Sequence, residues 1–332
     1  MRWLNEKLFA IDRRRPPPPI DLWKDFAWQW AAREDYWFPP GINPEGNDVQ
    51  WFEQWQKAQG FPEDKRPSVL IFPDTFTHFY EPAVGMAAAS LFPRNEWRVV
   101  TILPKRFRRD LSMPENQPVG WRCCGRPMIS NGMLAKAVEN ARYNVNTLYP
   151  WAASGKPIIA CEPSCILTIK DDYPALLRDE ERRKAETVAA ACLTFEEFLE
   201  NALANGGGHA LDNSCRLKFK PGPKKILVHG HCHQRALVGM EPTLRLLRRI
   251  PGAEVIDLDA GCCGMAGSFG YEKEHYEISR LIGEQRLFPA VRQADADTVI
   301  VASGFSCRTQ IQHFTGKTAV HPAQLLHSLL EI

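Results

Sequence analysis

Two Cys-Cys-Gly triplets, Cys123-Cys124-Gly125 and Cys262-Cys263-Gly264, stand in equivalent places of two successive stretches with the same internal pattern. In the first stretch SVLIF (68–72) reads as a buried strand, EPAVGMAAASLF (81–92) as a helix and WRVVTIL (97–103) as a second strand. RCCGRP (122–127) follows, then a long helix with Leu134, Val138, Ala141, Val145 and Leu148 on one face, then the strand KPIIA (156–160) leading into CEPSC. The second stretch repeats the parts in order. KILVH (225–229) leads to HGHCHQ, GMEPTLRLLRRI (239–250) reads as a helix, and AEVIDLD (253–259) leads to AGCCGMAG. EHYEISRLIGEQRLF (274–288) reads as a helix and DTVIVA (297–302) leads to SGFSC. A repeated strand–helix–strand order predicts an α/β protein of two tandem units, each with a parallel sheet and helical crossovers. A connecting helix, AETVAAACLTFEEFLENAL (185–203), and a polar loop (204–215) separate them. The expected boundaries are an extension over 1–66, a first repeat over 67–200, a connecting loop over 201–223 and a second repeat over 224–332.

The pattern places the cysteines at the carboxyl ends of strands, where open parallel sheets collect their ligands. Cys232, Cys262, Cys263 and Cys307 come from three strand ends of the second repeat and are expected to converge as the main metal site. Four thiolates suit one four-iron cluster, and the same number serves zinc. Structural zinc sites use short paired knuckles, whereas the spacings here are 30 residues from Cys232 to Cys262 and 44 from Cys263 to Cys307. Iron–sulfur therefore ranks above zinc, and zinc above metal-free thiol chemistry. Gly261 and Gly264 let the backbone approach a cluster and aim N–H groups at sulfur. His231 and His233 are expected around the ligands rather than among them, with His229 alternating beside them. In the first repeat Cys123, Cys124 and Cys165 match Cys262, Cys263 and Cys307, Thr75 stands where Cys232 would, and Cys161 is extra. That is a second, weaker site. Cys192 is expected in an alanine-rich helix as a buried small residue, Cys215 in the loop, and Glu162 as an ordinary loop carboxylate. No nucleophile–base signature identifies a catalytic residue.

Composition removes other classes. Ten cysteines without a secretion signal argue for metal or redox use rather than disulfides. A net charge of +2 gives no footprint for nucleic acid. No apolar run reaches a membrane span, so the expected location is the cytoplasm, with peripheral contact at the inner face of the cytoplasmic membrane allowed. Residues 1–66 carry seven of the ten tryptophans and Arg13-Arg14-Arg15 before Pro16–Pro19, which reads as a wrapped extension with a solvated basic-proline linker.

DTFTHFYEP, CCGRPMISNG, EPSC, HGHCHQ and GCCGMAGSFGYEKEHYEIS resemble the cysteine-rich CCG domain family over about residues 67–328. That family includes the heterodisulfide reductase B subunit, the glycolate oxidase iron–sulfur subunit and the anaerobic glycerol-3-phosphate dehydrogenase C subunit. The strongest likeness is to the C-terminal part of FAD-linked oxidases of the D-lactate dehydrogenase type, and WLNEKLFAIDRRRPPPP is similar to the linker that precedes it there. The resemblance implies a 4Fe-4S-type cluster and an electron-transfer subunit of a flavin-dependent lactate or glycolate dehydrogenase. It implies partners too: an FAD-binding subunit and a ferredoxin-like iron–sulfur module, with electrons passing toward a quinone or other acceptor and FAD only in the partner. The chain is expected to be a split subunit or a gene fragment, inactive alone. Heterodisulfide-type thiol chemistry would need a closing C-x-x-C, whereas the second repeat here ends in a lone Cys307 and the first lacks the leading cysteine, with Thr75 in its place.

Overall fold

The computed structural model describes residues 6–7, 10–16, 66–102, 120–204 and 217–331. The seven N-terminal tryptophans, Pro17–Pro19 and Cys215 lie outside the described residues. Two compact units form, one from residues 1–20, 162–164 and 217–332 and the other from 21–161 and 165–216.

Each unit is built on a four-stranded, wholly parallel sheet. In the unit carrying the first repeat the order is β2-β1-β3-β4, with β1 Ser68–Ile71, β2 Arg98–Thr101, β3 Ile158–Ala160 and β4 Cys192–Thr194. In the other the order is β6-β5-β7-β8, with β5 Lys225–His229, β6 Glu254–Asp257, β7 Thr298–Ala302 and β8 Ala319–Val320. Of the apolar runs read from the sequence, SVLIF, KPIIA, KILVH and DTVIVA form the central strands and WRVVTIL and AEVIDLD the edge strands β2 and β6. Val69, Leu70 and Ile71 are fully buried, as are Ile158 and Ile159 beside them. Each such side chain contributes roughly 1.5–3 kcal/mol over leaving it in water.

The ladders set the two repeats in one register. Ile71 pairs with Thr101 on one side and Ile159 on the other, and Val228 pairs with Asp257 and Val301. Counting forward from Ile71 and Val228 makes Thr75 the counterpart of Cys232, and from Ile159 and Val301 makes Cys165 the counterpart of Cys307. Phe72 then corresponds to His229.

Three local expectations are corrected. The connecting helix is two helices, Asp179–Ala191 and Phe195–Ala204, with Cys192 in the strand between them. The cause is a capping box. The Glu197 N–H donates to Thr194 Oγ1 at 3.2 Å, and the Thr194 N–H donates to Glu197 Oε2 at 2.8 Å, so a helix starts at Phe195 and the residues before it are free to pair with β3. Cys192 is buried all the same, and burial pushes its thiol up to about 12. Second, the helix expected over 274–288 is Tyr276–Glu284 followed by Leu287–Gln293. A Cβ on Gly283 would meet the Phe288 ring at 2.2 Å, so the bend folds that ring back over the first helix. Third, the basic run is not solvated throughout. Arg15 is buried, and residues 10–12 pair with 271–273 through Asp12 N–H to Tyr271 O and Lys273 N–H to Ala10 O.

Thr194→Ala removes the cap and leaves a helix-terminal N–H without its acceptor. We expect a loss of about 1 kcal/mol, read as a lower urea midpoint at unchanged slope. An unaltered midpoint would show that the strand pairing alone sets the break.

Candidate metal centre

The second repeat sets its cysteines after the ends of three neighbouring strands. Cys232 opens the helix Cys232–Leu237 directly after β5, Cys262 and Cys263 lie in the loop after β6, and Cys307 lies in the first turn of Phe305–Thr315 after β7. Their thiols form a continuous chain: Cys232 meets Cys262, Cys262 meets Cys263, and Cys263 meets Cys307. Cys263 and Cys307 are buried against the apolar core that includes Met265, Phe288 and Ile311, whereas Cys232 is exposed at the other end.

Protons are shared unevenly along that chain. The Cys262 sulfur is held well below the usual thiol range by the adjoining Cys232 and Cys263 thiols, and the Gly264 N–H, 3.3 Å away, donates to it as well. Cys307 is likewise pulled down, first by the Cys263 thiol and then by His229. Cys232 and Cys263 are pushed up, each holding its proton against an electron-rich neighbour. Preformed thiolate character favours metal capture, since the thiolate is the ligand form.

His229 is the residue the sequence reading left out of the ligand group. It ends β5, is buried, and offers a ring nitrogen within 4.8 Å of the sulfurs of both Cys263 and Cys307. Among the described residues this is the one group of three histidine, cysteine or acidic ligand atoms so close together. Neither ring nitrogen has a well-aligned hydrogen-bond partner there. A buried polar group left so is costly, and an electropositive centre between the sulfurs would satisfy it. The strand register was the available signal, since His229 is the last ladder residue of β5.

His231 stands at the N-cap position of the helix Cys232–Leu237, without a side-chain capping bond, and packs its ring on Gly304. A Cβ at 304 would come within 2.4 Å of His231 Cδ2 and 3.3 Å of Cys307 Sγ. A C-x-x-C ending would need a side chain at that position, so His231 occupies the place of the missing cysteine. Glu162 and its neighbours through Ser164 belong to this unit. Far from being an ordinary loop carboxylate, Glu162 is buried and accepts the Phe305 N–H at 2.7 Å. His233 is half-buried on the helix.

The first repeat keeps part of the pattern. Thr75 lies against Cys123, the contact that Cys232 makes with Cys262. Cys123 meets Cys124, and the Cys124 and Cys165 sulfurs are 3.4 Å apart. Cys161 is buried at the end of β3 but does not join Cys124 and Cys165 within the 4.8 Å that gathers the second group. In both repeats the carbonyl of the second cysteine is held by a buried side chain, Tyr173 Oη donating to Cys124 O at 3.0 Å and Gln310 Nε2 to Cys263 O at 2.7 Å. Among the described residues, only the second repeat sets an imidazole within 4.8 Å of two of its thiols.

Among the described residues, no helix is long and apolar enough to cross a membrane. The chain is 33% identical over 210 residues to the C subunit of the anaerobic glycerol-3-phosphate dehydrogenase of Escherichia coli, an alignment covering 63% of this chain and 50% of that protein. It is 26% identical over 270 residues to the D-2-hydroxyglutarate dehydrogenase of the same organism, covering 81% of this chain and 23% of that one. An uncharacterised iron–sulfur protein of Methanocaldococcus jannaschii is 27% identical over 195 residues, covering 58% of this chain and 33% of that protein. The chain thus spans about half the length of the first of these relatives and a smaller part of the others. The family model for the cysteine-rich domain matches residues 108–170 and 226–312, one segment around each Cys-Cys-Gly triplet. With matching sheets, matching thiol pairs and a match at each triplet, the two matched segments, one in each repeat, are similar to the cysteine-rich CCG domain.

Proposed function

We propose that the chain is an iron–sulfur electron-relay component of a flavin-dependent dehydrogenase, with Cys232, Cys262, Cys263 and Cys307 as the principal ligands. The single observation that carries this reading is the convergence of those four thiols with the buried His229 at the carboxyl edge of one parallel sheet. A cluster held there takes up and passes on single electrons, and the protein tunes that exchange through burial and hydrogen bonds to sulfur. The chain's own residues do the rest. Cys263 and Cys307 bury one side of the site, Gly264 aims its N–H at the Cys262 sulfur, and the exposed Cys232 marks the side at which a partner approaches. The named dehydrogenase relatives support a role beside a substrate-oxidising subunit. The substrate of that partner is proposed to be a small acid or phosphate ester with an oxidisable hydroxyl, lactate and glycolate among the candidates, and the acceptor a quinone. FAD belongs to the partner, and the first repeat is a degenerate copy.

A zinc reading is favoured by one observation, because Cys263, Cys307 and His229, gathered within 4.8 Å of one another, are ligand types that zinc takes. Anaerobic purification separates the two. We expect a brown protein with iron and sulfide in stoichiometric excess over zinc. A colourless protein with one equivalent of zinc would replace the electron-relay reading by the scaffold reading.

A further inference from the structure

The N-terminal segment brings a buried charge to the back of this site. Arg15 is 2% exposed. Its guanidinium carbon lies 4.9 Å from the ring centroid of Phe314, 5.0 Å from that of Tyr276 and 5.7 Å from that of Tyr271, an aromatic cage that suits a cation. Nε donates to the Gly270 carbonyl at 2.8 Å and Nη2 reaches Ser279 Oγ at 3.3 Å, while Nη1 has no hydrogen-bond partner among the described residues. Ser279 Oγ also takes a hydrogen bond from Gln310 Nε2 at 3.0 Å, and the same amide donates to the Cys263 carbonyl. The line Arg15–Ser279–Gln310–Cys263 therefore connects a buried guanidinium to the carbonyl of a ligand residue through two side chains. Among the described residues, no carboxylate is hydrogen-bonded to Arg15. Asp12 and Glu277 are taken by Arg14, which stays half-exposed over the opposite contact with Tyr276. A guanidinium keeps its proton at any working pH, so the charge is permanent.

A fixed positive charge near a redox centre favours its reduced form, which carries one more electron, and low surrounding dielectric magnifies the effect. We propose that Arg15 is a positioning residue of the second-repeat centre, locking the Cys263 loop through Ser279 and Gln310 and raising the centre's reduction potential. The inference rests on the iron–sulfur reading above. It makes residues 10–16 a working part of the site rather than a linker.

The test uses the full chain, reconstituted anaerobically with ferrous iron and sulfide, and an electron-paramagnetic-resonance-monitored redox titration. Arg15→Gln removes the charge, Arg15→Lys keeps it without the planar fork, and Arg14→Gln is the exposed control. Expected are a lower potential in Arg15→Gln, about tenfold in the reduction equilibrium or 59 mV for one electron, with Arg15→Lys and Arg14→Gln near the parent value. A parent-like potential in Arg15→Gln overturns the proposal. So does an Arg15→Lys shift as large as that of Arg15→Gln, which would reduce the role to packing. Should Arg15→Gln take up no iron, the lysine variant decides: a parent-like potential supports the proposal and a lowered one overturns it. An iron-free parent chain refutes the underlying reading as well, and iron content separates that failure from the others.

Discussion

Cys263→Ser is expected to strip the greater part of the bound iron, while Cys124→Ser leaves most of it in place. Cys263 is the middle of the second-repeat thiol chain, meeting Cys262 on one side and Cys307 on the other, and its sulfur faces His229. A neutral hydroxyl is a poor ligand for iron that prefers thiolate. Cys124 has a comparable burial and a 3.4 Å sulfur neighbour in Cys165, yet its site offers Thr75 and Phe72 where the other offers Cys232 and His229. Iron and sulfide analysis of both variants, reconstituted side by side, reads the difference. The reverse ranking would move the principal site to the first repeat.

Gly264→Ala is expected to be among the most damaging single-methyl changes in the protein. Its φ of +89° lies where a Cβ costs roughly 1–2 kcal/mol. The added Cβ would also stand 2.1 Å from the Ser279 carbonyl oxygen, a backbone atom that cannot swing aside. Relief requires the loop to lift away from Tyr276–Glu284, and with it the N–H aimed at Cys262. Overpacking adds about 1–3 kcal/mol more. Gly261, on the other side of the pair, supplies the internal comparison. It also has positive φ, at +70°, but nothing lies within 4 Å of its Cβ position. Gly261→Ala should therefore show the strain alone. Thermal melts and iron uptake of the two variants measure the gap, and equal losses would mean that backbone strain outweighs the steric contact.

Much of this was readable because strands and their ends obey local rules. The apolar runs around Leu70, Ile159, Leu227 and Ile300 could bury only as central parallel strands, and the cysteines immediately after them had to share an edge. The matches between Thr75 and Cys232, and between Cys165 and Cys307, followed from the same register. What stayed hidden depended on contacts between distant residues. Cys192 carried no sign of edge-strand pairing because the alanines before it favour a helix, although Thr194-x-x-Glu197 was a visible capping box. Arg15 looked like part of a solvated basic run, since nothing local announces the aromatic cage that receives it. His229 alternates with His231 and His233 in the chain, and only the end of the β5 ladder decides which imidazole turns inward. A ligand's fate there is set by one residue of register.

The placement of β7 between β5 and β8 has a consequence in time. A chain is made from its N-terminal side, so β5 and β6 leave the ribosome well before Thr298–Ala302, and Cys307 follows them. Arg15, made long before either, cannot dock until Gly270 and Ser279 exist. Long-range parallel pairing is slow to form, and the site is its last product. Cys307 reaches the other three thiols only once β7 has paired with β5. During synthesis Cys232, the first of the four thiols to emerge, waits longest for the others, and a reducing environment has to guard it until Cys307 arrives.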